Sequence, residues 1–482
     1  MIFRQYQLSC LSLFSYLIGD EETGRAVVVD PQRDVSGYLA DAEELGLRIE
    51  RVIETHFHAD FLSGHLELAA ATGAAVSYGS EARTDFPMDP LADGERLSLG
   101  DVVLEARATP GHTPESISIV IWEHADDPEP WGVLTGDTLF IGDVGRPDLL
   151  SSAGWTADDL AGRLYHSLHD QLLTLPDTTR VYPAHGAGSA CGKAMSDAVT
   201  STIGEQRETN YALRPMTEEQ FVAAVTEGQS VAPLYFAFAA DANRHDHQLL
   251  DDREPPEVIT VEQALAIVDG GGVLLDARSP GEFASGHLRG AVNVGLEGRF
   301  AEYAGDVIRP DQPIVVVADS GRGTEARVRL ARIGFDRVAG AVEDVERALL
   351  EHPELAERSR RLSAVEVAEV RTGAEGLQIV DIRNPGEQEG GVIDGATRIP
   401  LARLLARLGE LDRRVPTVVY CAGGYRSSVG ASLLRAHGFD SVADLQGGFS
   451  AWVAAGLPVT SAVTPGPVVP AAAQEPAARS GT

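Results

Sequence analysis

Residues 55–61 read Thr55-His56-Phe57-His58-Ala59-Asp60-Phe61, between an apolar run, Ile49 to Glu54, and a helical stretch, Leu62 to Thr72, closed by Gly73. A strand, a histidine-rich loop and a helix in that order decide how the N-terminal fold is read. Two histidines and a carboxylate at alternating positions on a loop leaving a strand can converge on one point. Imidazole with carboxylate suits zinc, iron or manganese. Three further donors follow apolar runs: His112 in Thr109-Pro110-Gly111-His112-Thr113, Asp137 in Leu134-Thr135-Gly136-Asp137-Thr138, and His185 in Tyr182-Pro183-Ala184-His185-Gly186. Each stands near Gly or Pro, where the backbone can turn toward a shared cleft. Any one alone reads as a loop residue; the ordered set reads as a metal site. His65, His124, His166 and His169 fall outside the pattern and are expected on the surface.

The surrounding chain has 482 residues, too long for one hydrophobic core and about right for three domains. Hydrophobic residues make up 44% and charged residues 23%, near globular averages. A net charge of −33 argues against a nucleic-acid or anionic-membrane partner. An anionic substrate must therefore be drawn by local cations or a metal. Three cysteines, Cys10, Cys191 and Cys421, form no disulfide framework and suit a reducing compartment. The run Leu8 to Ile18 imitates a signal-peptide core, but only Arg4 precedes it and no small-residue cleavage site follows. It continues through Gly19 to Arg25 into a second apolar run, Ala26 to Val29, the pattern of a β-hairpin. No run approaches the ~20 apolar residues needed to span a bilayer. A cytoplasmic protein is expected.

Further along, the sequence repeats itself. Val273-Leu274-Leu275-Asp276-Ala277-Arg278-Ser279-Pro280-Gly281-Glu282 returns as Gln378-Ile379-Val380-Asp381-Ile382-Arg383-Asn384-Pro385-Gly386-Glu387, and Gly334-Phe335-Asp336 returns as Gly438-Phe439-Asp440. Each copy alternates apolar strands with helices, which predicts a parallel α/β sheet. The expected layout is an N-terminal unit over 1–250, a linker at Asp251 to Pro256, copies over 257–355 and 360–462, and a disordered Pro/Ala-rich tail over 463–482.

The N-terminal order H-x-H-x-D, then H, D and H, resembles the metallo-β-lactamase superfamily. That resemblance implies an αββα sandwich. In its dinuclear hydrolases, such as glyoxalase II, the residue after the motif aspartate is a histidine that helps hold a second metal; here it is Phe61, which cannot ligate. The mononuclear branch, the persulfide dioxygenases, is the better match. It implies one Fe(II) per chain on His56, His112 and Asp137, with His58, Asp60 and His185 orienting ligands or waters. Two histidines and one carboxylate leave adjacent coordination sites for O2 and a substrate sulfur, whereas zinc has no accessible redox states. Zinc remains the alternative metal, in a thioester hydrolase. Arg146, in Gly142-Asp143-Val144-Gly145-Arg146-Pro147-Asp148, is a candidate for steering an anionic substrate and equally a structural ion-pair partner.

The repeats resemble rhodanese-like domains. The last carries Val418-Val419-Tyr420-Cys421-Ala422-Gly423-Gly424-Tyr425-Arg426 ahead of a helical run. A cysteine at a strand end, then a loop of Ala422, Gly423, Gly424 and Tyr425 into a helix, surrounds the sulfur with backbone N–H groups that favour the thiolate. Four residues separate Cys421 from Arg426, the tight sulfurtransferase spacing rather than the wider phosphatase one. Ala422 stands where many rhodaneses have arginine, which favours a persulfide donor over dianionic thiosulfate. In the first copy, aligning the Gly-Phe pairs without gaps sets Val317 opposite Cys421, and Ser320 is no substitute for a thiolate.

The whole chain is similar to bacterial persulfide dioxygenase–rhodanese fusions, which implies multidomain α/β architecture. The implied substrates are a low-molecular-weight thiol persulfide and O2. The products would be sulfite and thiol, with sulfite and thiosulfate linked through Cys421. A homo-oligomer is expected. A non-catalytic sulfur carrier is the remaining rival. Cys191, on a Gly-rich loop beside Lys193, is a candidate second sulfur acceptor, against its reading as a small buried hydrophobe.

Overall fold

The N-terminal hairpin sets the first layer. β1 (Ile2–Leu8) pairs antiparallel with β2 (Leu13–Gly19), which pairs antiparallel with β3 (Arg25–Val29). The apolar run Leu8 to Ile18 therefore bends between two strands. β4 (Arg48–Ile53), β5 (Ala75–Gly79) and β6 (Asp89–Leu91) continue the sheet in parallel. A second six-stranded sheet comprises β7 (Arg96–Ser98), β8 (Val103–Ala108), β9 (Ile117–Trp122), β10 (Gly132–Gly136), β11 (Arg180–Pro183) and β12 (Ser201–Thr202). Phe14, Tyr16, Ile18, Val27 and Val29 of the first sheet interlock with Leu104, Ile119, Ile121 and Leu134 of the second. Leu68, on the helix His65–Thr72, packs on the outer face of the first sheet, and Ala161 and Leu164, on the helix Ala157–His166, cover the second. The result is the expected αββα sandwich. The computed structural model describes residues 1–150, 154–373 and 376–461; the tail expected over 463–482 lies outside them.

The helix after the histidine loop starts at His65 and not at Leu62. Its would-be first turn is tied elsewhere: Leu62 N donates to Arg332 O (2.8 Å) and Ser63 N to Asn243 Oδ1 (2.9 Å). At the other end, Gly73 closes the helix in the left-handed region, φ 75°, where glycine alone is unstrained.

Each repeat builds a parallel sheet. The first holds β13 (Val273–Asp276), β15 (Val292–Asn293), β16 (Ile314–Val317) and β17 (Val338–Val342), with the small pair β14 (His287–Leu288) and β18 (Ala356–Glu357) beside it. The second runs β19 (Arg360–Leu362), β23 (Val442–Leu445), β22 (Thr417–Tyr420), β20 (Gln378–Asp381), β21 (Thr397–Arg398) in spatial order. The repeated Asp-x-Arg does the same work twice. Arg278 pairs with Asp276 and donates to Gly286 O (2.9 Å); Arg383 pairs with Asp381 and donates to Gly391 O (2.8 Å). Both aspartates are fully buried, so each guanidinium neutralises a charge that would otherwise be stranded.

Strand pairing corrects one alignment. Asp276 faces Val317 as Asp381 faces Tyr420. Val317 is therefore the counterpart of Tyr420, and Ala318 that of Cys421. The first copy is one residue shorter between this strand end and its Gly-Phe turn, which gapless alignment could not register. Ala318 still bears no thiol, and Ser320 Oγ points to Glu343 (3.1 Å).

The three units share packed interfaces. Arg33, 1% exposed, links Glu67 (2.9 Å), Ala331 O (2.9 Å) and Asp336 across to the first copy, and Arg332 answers with Asp34 (2.6 Å). The second copy docks its helix Tyr425–Ala436 on β15: Ser428 Oγ donates to Asn293 Oδ1 (2.7 Å), and Asn293 N donates to Ser432 Oγ (2.8 Å). No helix among the described residues is long and apolar enough to cross a membrane.

Candidate metal centre

All six motif residues follow the C-terminal ends of strands, so one edge of the sandwich gathers them. His56, His58 and Asp60 follow β4; His112, Asp137 and His185 follow β8, β10 and β11. Glycines let the loops approach. A Cβ on Gly145 would lie 1.9 Å from Asp137 O, and one on Gly136, at φ 50°, would lie 2.8 Å from Thr55 Oγ1.

The residues sort into two adjoining triads. In the first, His56 Nε2 and His112 Nε2 lie 3.7 and 3.5 Å from Asp137 Oδ2. None of these three buried atoms has a hydrogen-bond partner. Three stranded donors aimed at one another are costly without an occupant, and the set fits a divalent cation. Their far sides are fixed. His112 Nδ1 donates to Arg146 O (2.9 Å), and His56 Nδ1 meets Thr55 Oγ1 (3.0 Å), itself held by Asp30 (2.8 Å). Such outer contacts set the ring tautomer and aim. Burial pulls the His56 and His112 pKa values down, toward the neutral imidazole a metal requires. Burial works to raise the Asp137 carboxyl, but the charge and hydrogen bond of His185 outweigh it and hold Asp137 well below the carboxylate range.

In the second triad, the His58 nitrogens and the Asp60 oxygens are buried with no hydrogen-bond partner. His185 donates Nδ1 to Asp137 Oδ1 (2.6 Å), and its Nε2, also unpartnered, lies 2.8 Å from Asp60 Oδ2. Burial alone would lower its pKa, but these two carboxylates raise it well above the ordinary value. His58 Nε2 lies 3.2 Å from Asp30 Oδ1, and its ring packs 4.3 Å from that of the buried Phe61. Asn243 braces this loop by donating to His58 O and Phe61 O (both 2.8 Å), and Tyr235 OH donates to Asp60 O (2.9 Å).

A small cavity of about 130 Å3 reaches His112 between Phe57, Leu149 and Phe236, with Arg244 on its wall. The Arg244 guanidinium lies 4.6 Å over the Phe57 ring, and its buried Nε has no protein partner. Arg146, by contrast, is fully engaged with Asp148 (2.7 Å), Ala190 O (3.0 Å) and Ser230 O (2.9 Å). Arg146 stands in an ion pair with Asp148, and its carbonyl orients His112. Asn243 and Arg244 were missed because they lie far along the chain in an unremarkable polar stretch. His65 is a correction too: it is fully buried against Phe86 and Tyr78, with its pKa pushed down to about 3 by burial.

Cys191 is fully buried, and its thiol comes within metal-ligand range of Asp137 and His185. Burial raises its pKa well above the ordinary thiol value, and the Asp60 and Asp137 charges add to that, which disfavours a thiolate. Cys421 sits differently. Its Sγ accepts from Gly424 N (3.1 Å) at the start of the helix Tyr425–Ala436, where the dipole favours negative charge. Gly424, at φ 97°, turns the loop. Arg426 forks onto both oxygens of Glu387 (2.7 and 2.5 Å).

Comparison with known proteins agrees with this division. The metallo-beta-lactamase superfamily model matches residues 9–185, and the rhodanese-like domain model matches 260–343 and 364–455. The chain is similar to the human mitochondrial persulfide dioxygenase ETHE1, with 32% identity over 234 residues, covering 48% of this chain and 82% of that one. It is also similar to a hydroxyacylglutathione hydrolase of Synechococcus sp., with 33% identity, covering 42% of this chain and 84% of that one. A crystal structure of a Staphylococcus aureus metallo-beta-lactamase superposes with a TM-score of 0.66 at 32% identity, covering 71% of this chain and 99% of that chain.

Proposed function

The chain belongs to the metallo-β-lactamase superfamily, as a homologue of the ETHE1 persulfide dioxygenases fused to tandem rhodanese-like domains, and we propose that it oxidises a low-molecular-weight thiol persulfide with O2 and passes sulfane sulfur through Cys421. The overall change is persulfide, O2 and water to thiol and sulfite. The observation that carries the reading is the triad of stranded donors on His56, His112 and Asp137 beside the non-ligating Phe61. A bound Fe(II) supplies the redox chemistry with O2 that zinc lacks. Arg146 O holds the His112 proton at Nδ1 and keeps Nε2 free. Asp137 holds the His185 proton at Nδ1, and Phe61, standing where a second metal would need a ligating histidine, supports one metal over two. Phe57, Leu149 and Phe236 keep water from the cavity, and the Arg244 guanidinium binds an anionic group of the substrate.

At the other centre, the Cys421 thiolate attacks the outer sulfur of a persulfide. The new Cys421–sulfur bond replaces the old sulfur–sulfur bond, and the carrier leaves as thiolate. Sulfite then attacks the outer sulfur of the Cys421 persulfide anion, giving thiosulfate and restoring the thiolate. Ala318, at the equivalent strand end, makes the first copy silent.

Metal analysis with oxygen uptake tests the reading. Protein purified without added metal should carry about one iron per chain and consume O2 with a thiol persulfide. Two zinc ions with thioester hydrolysis and no O2 uptake would refute it.

A further inference from the structure

Both repeats end a strand at the same place, and only the second keeps a thiol there. In the first, Ala318 holds that position and lines a cavity of about 150 Å3 with Ala277, Arg278, Gly295 and Leu296. The carboxyl ends of strands in an open parallel α/β sheet are where ligands bind. Here one wall of the cavity is supplied by the other copy: Tyr425, the residue after Gly424, reaches into it. The Tyr425 hydroxyl donates to Gly295 O, and its ring packs on Tyr303 of the first copy with centroids 5.3 Å apart. Burial pushes the Tyr425 hydroxyl well above its ordinary value, which keeps it a donor.

The contact belongs to a longer seam. Tyr425, Ser428 and Ser432 recur at the three- and four-residue spacing that puts side chains on one face of a helix. All three bond to one short stretch of the first copy: Tyr425 to Gly295 O, Ser428 Oγ to Asn293 Oδ1 (2.7 Å), and Ser432 Oγ to Asn293 N (2.8 Å). Tyr425 is the member of that stripe nearest in sequence to the sulfur. Gly424 N donates to Cys421 Sγ (3.1 Å) with Gly424 at φ 97°, so the aim of that N–H depends on how the chain is held on either side of Gly424. On the Cys421 side the second copy does the holding: Phe449 N donates to Cys421 O (2.7 Å) and Ser450 N to Ala422 O (3.0 Å). Gly423, in between, is exposed, and a Cβ there would meet nothing within 4 Å. On the far side, Ser427 Oγ closes the turn onto Gly424 O (3.1 Å), and Tyr425 fixes that turn to the first copy.

We propose that the silent first copy positions the Cys421 loop and that Tyr425 is the residue through which it acts: seated against Gly295 and Tyr303, Tyr425 keeps Gly424 N aimed at the sulfur. The inference rests on Cys421 as the sulfurtransferase nucleophile, and it gives the copy without a thiol a role in the chemistry of the other. Tyr425 is a positioning residue. Its side chain is spent on the first copy, so its loss acts on the geometry that favours the thiolate and not on the binding of the sulfur donor.

The test uses full-length, metal-loaded protein with thiosulfate as sulfur donor and cyanide as acceptor, followed as thiocyanate. Tyr425→Ala should lower kcat about hundredfold with KM for thiosulfate nearly constant, the signature of an interaction that serves the reacting state. Tyr425→Phe, which keeps the ring against Tyr303 and loses the hydrogen bond, should recover about tenfold of that. Tyr303→Leu, on the first copy and outside the loop, should cost about threefold to tenfold in kcat, again at constant KM; with Tyr425→Phe it carries the test if Tyr425→Ala does not fold. Wild-type kcat in Tyr425→Phe and Tyr303→Leu overturns the proposal, whether or not their thermal midpoints fall, and so does a loss confined to KM. Sulfur labelling of wild-type Cys421, read by peptide mass spectrometry, separates the two levels. Label with wild-type kcat in both variants removes only the positioning role, whereas no label from thiosulfate or a thiol persulfide removes the sulfurtransferase reading and the positioning role with it.

Discussion

Asp137 Oδ1 accepts a 2.6 Å hydrogen bond from His185 Nδ1, which leaves Oδ2 of the same carboxylate unpartnered and facing His56 and His112. One residue thus joins the two triads, and the division of labour between them can be measured. Asp137→Ala should lose iron and oxygenase activity together, because it removes the anionic donor of the first triad. His185→Ala should retain iron with affinity lowered about 10- to 100-fold, the usual effect of losing an outer contact. Equal iron loss from the two variants would move His185 into the coordination sphere.

Asn243 makes three hydrogen bonds to the histidine loop and is 1% exposed. Asn243→Ala strands one amide donor and two carbonyls away from water. The expected cost is about 3 kcal/mol, read as a thermal midpoint lowered by roughly 5 °C or more in the transition of the N-terminal unit. An unchanged midpoint would mean that water replaces the amide.

Arg244 offers its charge to the cavity that reaches His112. Arg244→Ala should raise KM for a carboxylate-bearing thiol persulfide by about tenfold or more with kcat nearly constant, the signature of lost uniform binding. A fall in kcat at constant KM would assign Arg244 to the reaction itself.

The two buried cysteines should separate in product analysis. Wild-type protein fed persulfide and O2 should release some thiosulfate. Cys421→Ser should release mainly sulfite at a similar O2 rate, with no residual sulfur transfer, since Ala318 offers no thiol. Cys191→Ser should leave the product ratio alone, because burial and the nearby carboxylates keep Cys191 protonated and a thiol is a poor nucleophile. If only Cys191→Ser abolishes thiosulfate, the trap is Cys191 and the account of the fusion fails.

Local order along the chain was enough to read the sandwich, the two parallel sheets and the grouping of His56, His112 and Asp137. Each rests on short-range rules: apolar runs that must pair, turns that need Gly or Pro, and donors placed where strands end. The same rules could not find Asn243 and Arg244, which reach the centre from about 180 residues away in sequence. They also misplaced His65, whose burial is decided by Phe86 and Tyr78 arriving from a later strand and loop. The shift from Val317 to Ala318 is of the same kind, since register belongs to the hydrogen-bond ladder between β13 and β16.

By itself the sequence determined which chemical groups this protein has to work with: six metal-site side chains in family order, a phenylalanine where a second metal needs a histidine, and one cysteine at the head of a tight loop. Tertiary structure alone decided how they are used. Arg146 became a brace because Asp148 and two carbonyls surround it. Cys191 became a held thiol because packing removes it from water. Tyr425 became an anchor because Gly295 and Tyr303 come from a segment that only folding brings to it. The physical reason is common to all three. Residue type sets what a side chain can donate, accept or ligate, but burial and partners, which are properties of the packed chain, set what it is left free to do.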